Sequence, residues 1–291
     1  MSLASLLKDP PPTYAFELSE EGIAFARVAE PKLAEFRPFQ AGVLAVSPVN
    51  NNIQQPHVLL DQIHSLASTS GNRKRRAALV VPDYCARVAV LDFDAFPSDP
   101  QEQLALLRFR MKKSVPFDVD SAVVSFAEQS RGKEDKVEVL TAVMSSEIVA
   151  EYEAPFRATG FHPGFITTSS LAALNLIEPD GIALLVKLSG RTLSVVVLDG
   201  SDIKLTRCVE MDEPSAEAVE SILHPTIAYV EDELKSRPKH IWLAGFGRET
   251  KGWIDRWHAE WSVDVQPLQS RFGTPDSENA GLLGYLESVR A

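Results

Sequence analysis

The chain has 291 residues, 45% of them hydrophobic, enough to bury a large core and to form two domains. A formal net charge of −11 argues against general affinity for nucleic acid, whose phosphates would repel it. The two cysteines, Cys85 and Cys208, stand far apart in no metal or redox motif, as expected of buried thiols in a reducing cytoplasm.

Residues 1–13 read as a disordered tail ending in three prolines, without the basic and apolar regions of a signal peptide. No apolar run is long enough to cross a bilayer, so direct membrane insertion is not expected. Strands are expected at Ala15–Leu18 and Ile23–Val28, joined by a Ser-Glu-Glu-Gly turn, and again at Val43–Val46. A helix follows from His57 to Ala67, with Leu60, Ile63 and Leu66 on one face. The basic run Arg73-Lys74-Arg75-Arg76 reads as a solvated loop before a strand at Ala77–Pro82.

From Gln101 to Asp118 the spacing predicts a charged helix stopped by Pro116. Leu104, Leu107 and Met111 share one stripe, while Leu106 and Phe109 point to nearly the opposite side. Strands at Ala122–Phe126 and Val137–Val143 flank a polar turn, Gln129–Asp135. A helix at Ser145–Thr159 is closed by Gly160, ahead of a short strand at Gly164–Thr167 and a helix at Ser169–Leu176. In the second half, strands at Ala183–Leu188, Leu193–Leu198 and Ile203–Cys208 are joined by Gly-containing turns. A long helix (Ser215–Lys235), a strand (His240–Ala244), a Gly-x-Gly turn and a helix (Thr250–Trp261) follow. Strand-strand-strand-helix-strand-helix is complete there and approximate in the first half, which implies two similar α/β units.

The segment with Arg108-Phe109 and Pro116-Phe117 resembles the PilM family, the cytoplasmic actin-like proteins of type IV pilus assembly. The likeness extends upstream through Val80-Val81-Pro82 and a strand from Ala86 to Leu91, ending near Phe96-Pro97. It extends downstream to Ala280-Gly281-Leu282-Leu283-Gly284. The resemblance implies the actin-like ATPase (ribonuclease H-like) fold, two similar α/β domains with a small subdomain inserted in the first. The first domain would span 14–170 with its insert at about 92–165, and the second 171–291. Only residues 209–214 separate the third strand of the second half from its long helix, leaving no room for the helical subdomain relatives carry there.

The same resemblance places an Asp-x-Gly on each of two phosphate-facing hairpins, where acids hold Mg²⁺ through water and glycine admits the backbone. Here those positions read Glu17-Leu18-Ser19 and Lys187-Leu188-Ser189, so one acid is lengthened, one becomes a cation and both glycines are lost. Glu20 and Glu21 stand where phosphate would lie, each carboxylate costing roughly 1 kcal/mol at 4 Å even in bulk-like water. The adenosine turn keeps Gly245 and Gly247 around Phe246, a pattern shared with ordinary strand-to-helix turns. The expectation is a degenerate site with no catalysis, no metal and no resident cofactor. The alternative is an actin-like ATP/Mg-binding protein or ATPase of a pilus or type II secretion platform, with Lys187 as a point-charge phosphate binder.

His57 and His64 lack companion ligands and read as surface histidines, and no hydrolase or P-loop motif occurs. Trp253, Trp257 and Trp261 form one aromatic stripe, read as core packing with an exposed docking face as the alternative. By resemblance, the function is that of a cytoplasmic pilus-assembly adaptor, recruited to the inner membrane through its partner. It would capture the N-terminal cytoplasmic peptide of a PilN-like membrane protein and meet other assembly components. Leu106, Arg108, Phe109, Pro116 and Phe117 would line or support that groove, with the peptide adding at a sheet edge.

Overall fold

The computed structural model describes residues 11–66, 75–131, 136–178 and 180–290. The expected tail up to Pro10, Arg73-Lys74 of the basic run and most of the 129–135 turn lie outside them. Two five-stranded sheets repeat one topology. In the first, β1 (Tyr14–Ser19), β2 (Gly22–Arg27) and β3 (Glu35–Pro38) form an antiparallel meander. β4 (Arg75–Val81) and β8 (Phe161–Thr168) extend it in parallel, giving the order β3-β2-β1-β4-β8. In the second, β9 (Ile182–Ser189), β10 (Thr192–Asp199) and β11 (Asp202–Glu210) repeat the meander. β12 (His240–Ala244) and β13 (Asp264–Pro267) repeat the parallel extension, giving β11-β10-β9-β12-β13. A third sheet, β5-β7-β6, contains β5 (Ala86–Phe93), β6 (Val123–Arg131) and β7 (Val137–Met144).

Helices cover both faces of the main sheets. α1 (Pro56–Leu66) and α3 (Ser146–Ala158) seal one face of the first sheet, burying Leu59, Ile63, Tyr152 and Phe156 with Phe16, Leu18 and Leu79. α5 (Ala216–Glu233) and α6 (Thr250–Trp261) do the same for the second through Val219, Leu223, Val230, Trp253 and Trp257. The tryptophan stripe is therefore core. α4 (Ser169–Ala173) joins the lobes, and α7 (Ala280–Arg290) returns from the second lobe to lie on the first sheet, burying Leu282, Leu283 and Leu286 with Ala15, Ala24 and Val80.

Several boundaries differ from the sequence reading. The third strand is β3, while Val43–Val46 makes only a bridge between Leu44 and Ile53. The segment pairs instead with residues 52–55, Ala45 N–H donating to the Asn52 carbonyl at 2.8 Å, and Val46 N–H donates to the Glu20 carboxylate at 2.9 Å. The inserted sheet is built from 86–144, whereas α3 and β8, placed inside the insert at 92–165, belong to the first lobe. The helix expected to reach Pro116 is α2 (Pro100–Met111), which ends where Ser114 donates N–H and hydroxyl to the Met111 carbonyl. Arg75 and Arg76 open β4 instead of lying in a loop, and the Arg75 guanidinium sits 4.0 Å over the Phe161 ring.

Candidate functional site

Each main sheet carries one charged side chain at the same place in its central strand, third from the end. Alternation explains how they reach the cleft. In β1, Phe16 and Leu18 enter the core beneath α1 and α3, which turns Ala15 and Glu17 to the opposite face. In β9, Leu184 and Val186 face α5 and α6, which turns Leu185 and Lys187 the other way. Both charges are deeply buried, at 1% and 2% exposure.

Burying a charge demands partners, and each has them. The Glu17 carboxylate accepts the Leu282 N–H at 2.6 Å and the Ser169 hydroxyl, so it caps the first turn of α7, where the helix dipole favours an anion. Asp83, which follows β4, accepts from Ser170 N–H at 2.7 Å, the Ser170 hydroxyl at 2.6 Å and the Ser194 hydroxyl at 2.9 Å. Lys187 Nζ lies 3.9 Å from Asp83 Oδ2, a long contact. Burial pushes the Glu17 pKa up from its ordinary range, and the Lys187 charge, then the Ser169 and Leu282 hydrogen bonds, pull it partly back.

The space around this cluster is small. Glu17, Ser19, Glu20, Glu21, Asp83, Lys187, Ser189 and their neighbours enclose about 20 Å³, room for about one water. The Ser19 hydroxyl closes its own hairpin, taking the Gly22 N–H at 3.2 Å, while Glu21 accepts the Ser277 hydroxyl at 2.9 Å. Gly245 (φ +83°) is a packing requirement: a Cβ there would stand 1.8 Å from the Leu188 carbonyl oxygen. Gly247 (φ +51°) turns in open space into the α6 region. Among the described residues, no group of three or more His, Cys, Asp or Glu side chains is placed to hold a metal ion.

A second cavity, of about 190 Å³, opens on the other side of Asp83. Its walls come from the first lobe (Pro48, Tyr84), the insert (Val88, Pro116, Phe117) and the second lobe (Val196, Thr206). Asp83 lines both cavities. The insert is fastened to the second lobe beside it. The Thr206 hydroxyl donates to the Val88 carbonyl at 2.6 Å, and the Gln129 side-chain amide pairs with both backbone groups of Ile203 at 2.8 Å.

The five residues expected to line a groove are dispersed. Pro116 and Phe117 line the 190 Å³ cavity. Leu106 packs with Phe93, Leu107 and Val139 inside the insert. The Arg108 guanidinium donates to the Ala122 carbonyl at 3.3 Å and ties down the loop that follows the helix. Phe109 is 75% exposed, on the outer face of α2. Asp83, Ser169, Ser170 and Ser194 escaped the sequence reading. Their available signals were an acid directly after the buried strand Leu79-Val80-Val81-Pro82, and the hydroxyl run Thr167–Ser170 at a strand-to-helix junction.

No family model and no curated protein matches this sequence. Solved structures do. A PilM-PilN type IV pilus biogenesis complex aligns with a TM-score of 0.70 at 18% identity, covering 95% of this chain and 98% of that one. A Bacteroides thetaiotaomicron protein with an actin-like ATPase fold aligns at 0.52 and 11% identity, with 94% of both chains covered. The chain has the actin-like fold. The cytoplasmic domain of EpsL, an inner-membrane component of the Vibrio cholerae type II secretion system, aligns with a TM-score of 0.50 at 14% identity, covering 96% of this chain and 94% of that one. Within the actin-like fold, Glu17 and Lys187 occupy matching strands of the two lobes, and residues 211–215 connect β11 to α5.

Proposed function

We propose that this actin-like chain is a non-catalytic adaptor of a type IV pilus or related secretion machine. It holds the short N-terminal cytoplasmic peptide of a PilN-like inner-membrane protein. The groove is the 190 Å³ cavity between the first lobe, the insert and the second lobe, and Pro116 and Phe117 form its outer wall. The observation that carries this reading is the contrast between the two cavities: the interlobe cleft is filled by its own charged side chains, and the groove beside it is open. The likeness to the PilM-PilN complex supports the kind of ligand. Among the described residues no helix is long and apolar enough to cross a membrane. Recruitment to the inner membrane goes through the captured peptide.

In the cleft, the residues present do not suit ATP and Mg²⁺. Phosphates would meet Glu20 and Glu21, the place for a metal-binding acid is Lys187, and Glu17 is committed to α7.

The test is fluorescence anisotropy with a labelled synthetic peptide of that N-terminal segment. Pro116→Asp combined with Phe117→Ala weakens binding at least about tenfold, or about 1.4 kcal/mol, in a variant that still unfolds cooperatively, with a lowered Tm because Phe117 also packs against Met111 and Val119. Phe109→Asp, on the outer face of α2, leaves affinity within about twofold. Wild-type affinity in the folded groove variant rejects this site.

A further inference from the structure

Three charged groups meet where the two lobes face each other. Glu17 and Asp83 come from the first lobe, and Lys187 comes from the second. All three are more than nine-tenths buried. The same Asp83 carboxylate gathers the Ser170 and Ser194 hydroxyls, one from the α4 junction and one from β10 of the second lobe, and both serines line the groove. Asp83 is thus the partition between cleft and groove, and Lys187 Nζ lies 3.9 Å from its carboxylate.

We propose that Lys187 is a positioning residue for the groove: it clamps the lobes together through Asp83, beside the buried Glu17, and so fixes the groove's hydroxyl-lined wall. The chain supplies its own cation in the cleft and stays closed without any ligand there. The groove half of this inference rests on the peptide-binding reading above, and the clamp half does not.

The electrostatics make the clamp testable. Two carboxylates and one ammonium give the cluster a formal charge of minus one. Lys187→Met would leave two buried acids with no cation between them, and an uncompensated buried charge is far costlier than a missing pair. Pairing Lys187→Met with Asp83→Asn restores the cluster charge to minus one. The Asn side-chain oxygen also keeps an acceptor for the Ser170 N–H.

Hydrogen exchange read by mass spectrometry, on peptides carrying Ser170 and Leu282, reports the clamp with no ligand present. In Lys187→Met, exchange in both segments rises at least tenfold and Tm falls by about 6 °C or more. In Asp83→Asn/Lys187→Met, both return most of the way to wild type. If the single variant does not fold, a folded double variant still supports the charge-based clamp, whereas a double variant equally unfolded rejects it. Wild-type exchange and Tm in Lys187→Met also reject it.

Anisotropy with the peptide probe decides the positioning role. Lys187→Met, or the double variant when the single does not fold, is compared with wild type. Binding weakened about tenfold in Lys187→Met and restored in the double variant is expected. When only the double variant folds, near-wild-type binding is expected. Unchanged binding in an opened Lys187→Met overturns positioning while leaving the clamp. Failure of wild type to bind the peptide overturns the groove reading, and the exchange result stands independently.

Discussion

At the scale of single residues, Glu17 shows how one side chain can be both poorly placed and well used. Its carboxylate is buried, which favours the protonated form, yet it caps α7 and answers Lys187. Because its pKa is raised above the ordinary 4.5, the folded state holds the proton more tightly than the unfolded state. Glu17 therefore contributes stability that is fully present below pH 4.5 and is lost as pH rises through the folded value. Glu17→Gln removes that dependence while keeping an acceptor for Leu282. Urea unfolding at pH 4 and pH 7 should show the variant gaining on wild type as pH rises, and a variant that loses ground instead would refute the assignment. The thiols are quieter. Burial raises the pKa of Cys85 and pushes that of Cys208 up to about 12, so both stay protonated and weakly nucleophilic at neutral pH.

At the scale of elements, α7 is the instructive case. Its sequence Ala280-Gly281-Leu282-Leu283-Gly284 contains two residues that disfavour helix. Packing reverses that preference. A Cβ on Gly281 would stand 2.6 Å from Val80 Cγ1, and one on Gly284 would stand 2.1 Å from the Ala172 carbonyl oxygen. The glycines let the helix settle against β4 and α4 and bring the Leu282 N–H within reach of Glu17. Gly284→Ala should therefore destabilise the fold by about 1–3 kcal/mol through overpacking, although alanine is the better helix former. The urea midpoint checks it, and an unchanged or higher midpoint would disprove the close approach. α2 illustrates the opposite arrangement. Leu107 and Met111 are buried, Arg108 reaches the Ala122 carbonyl, and Phe109 remains in solvent.

At the scale of the whole molecule, the repeated sheets place matching strand ends face to face, which in this chain brings an acid, a second acid and a lysine together. The space enclosed beside those charges is about 20 Å³. Calorimetric titration with Mg-ATP should give no saturable heat up to about 1 mM, a ceiling of roughly −4 kcal/mol. A micromolar affinity would return the chain to the ATP-binding alternative.

The local pattern was legible in the residues alone: most strands from alternation, the long helices from their apolar stripes, and the two like halves from the repeated element order. So was the equivalence of Glu17 and Lys187, which the fold places third from the ends of β1 and β9. The third strand, the limits of the insert and the C-terminal helix had to await the folded chain, since each depends on contacts distant in sequence: β2 with β3, β4 with β8, Gly284 with Ala172. Folding also separated Pro116 and Phe117 from Phe109. Period alone ranks residues around a helix axis, and which side meets a cavity is set by what packs against it. Asp83 was hidden for the same reason, because a carboxylate acquires its role from the Ser170, Ser194 and Lys187 groups that folding delivers to it.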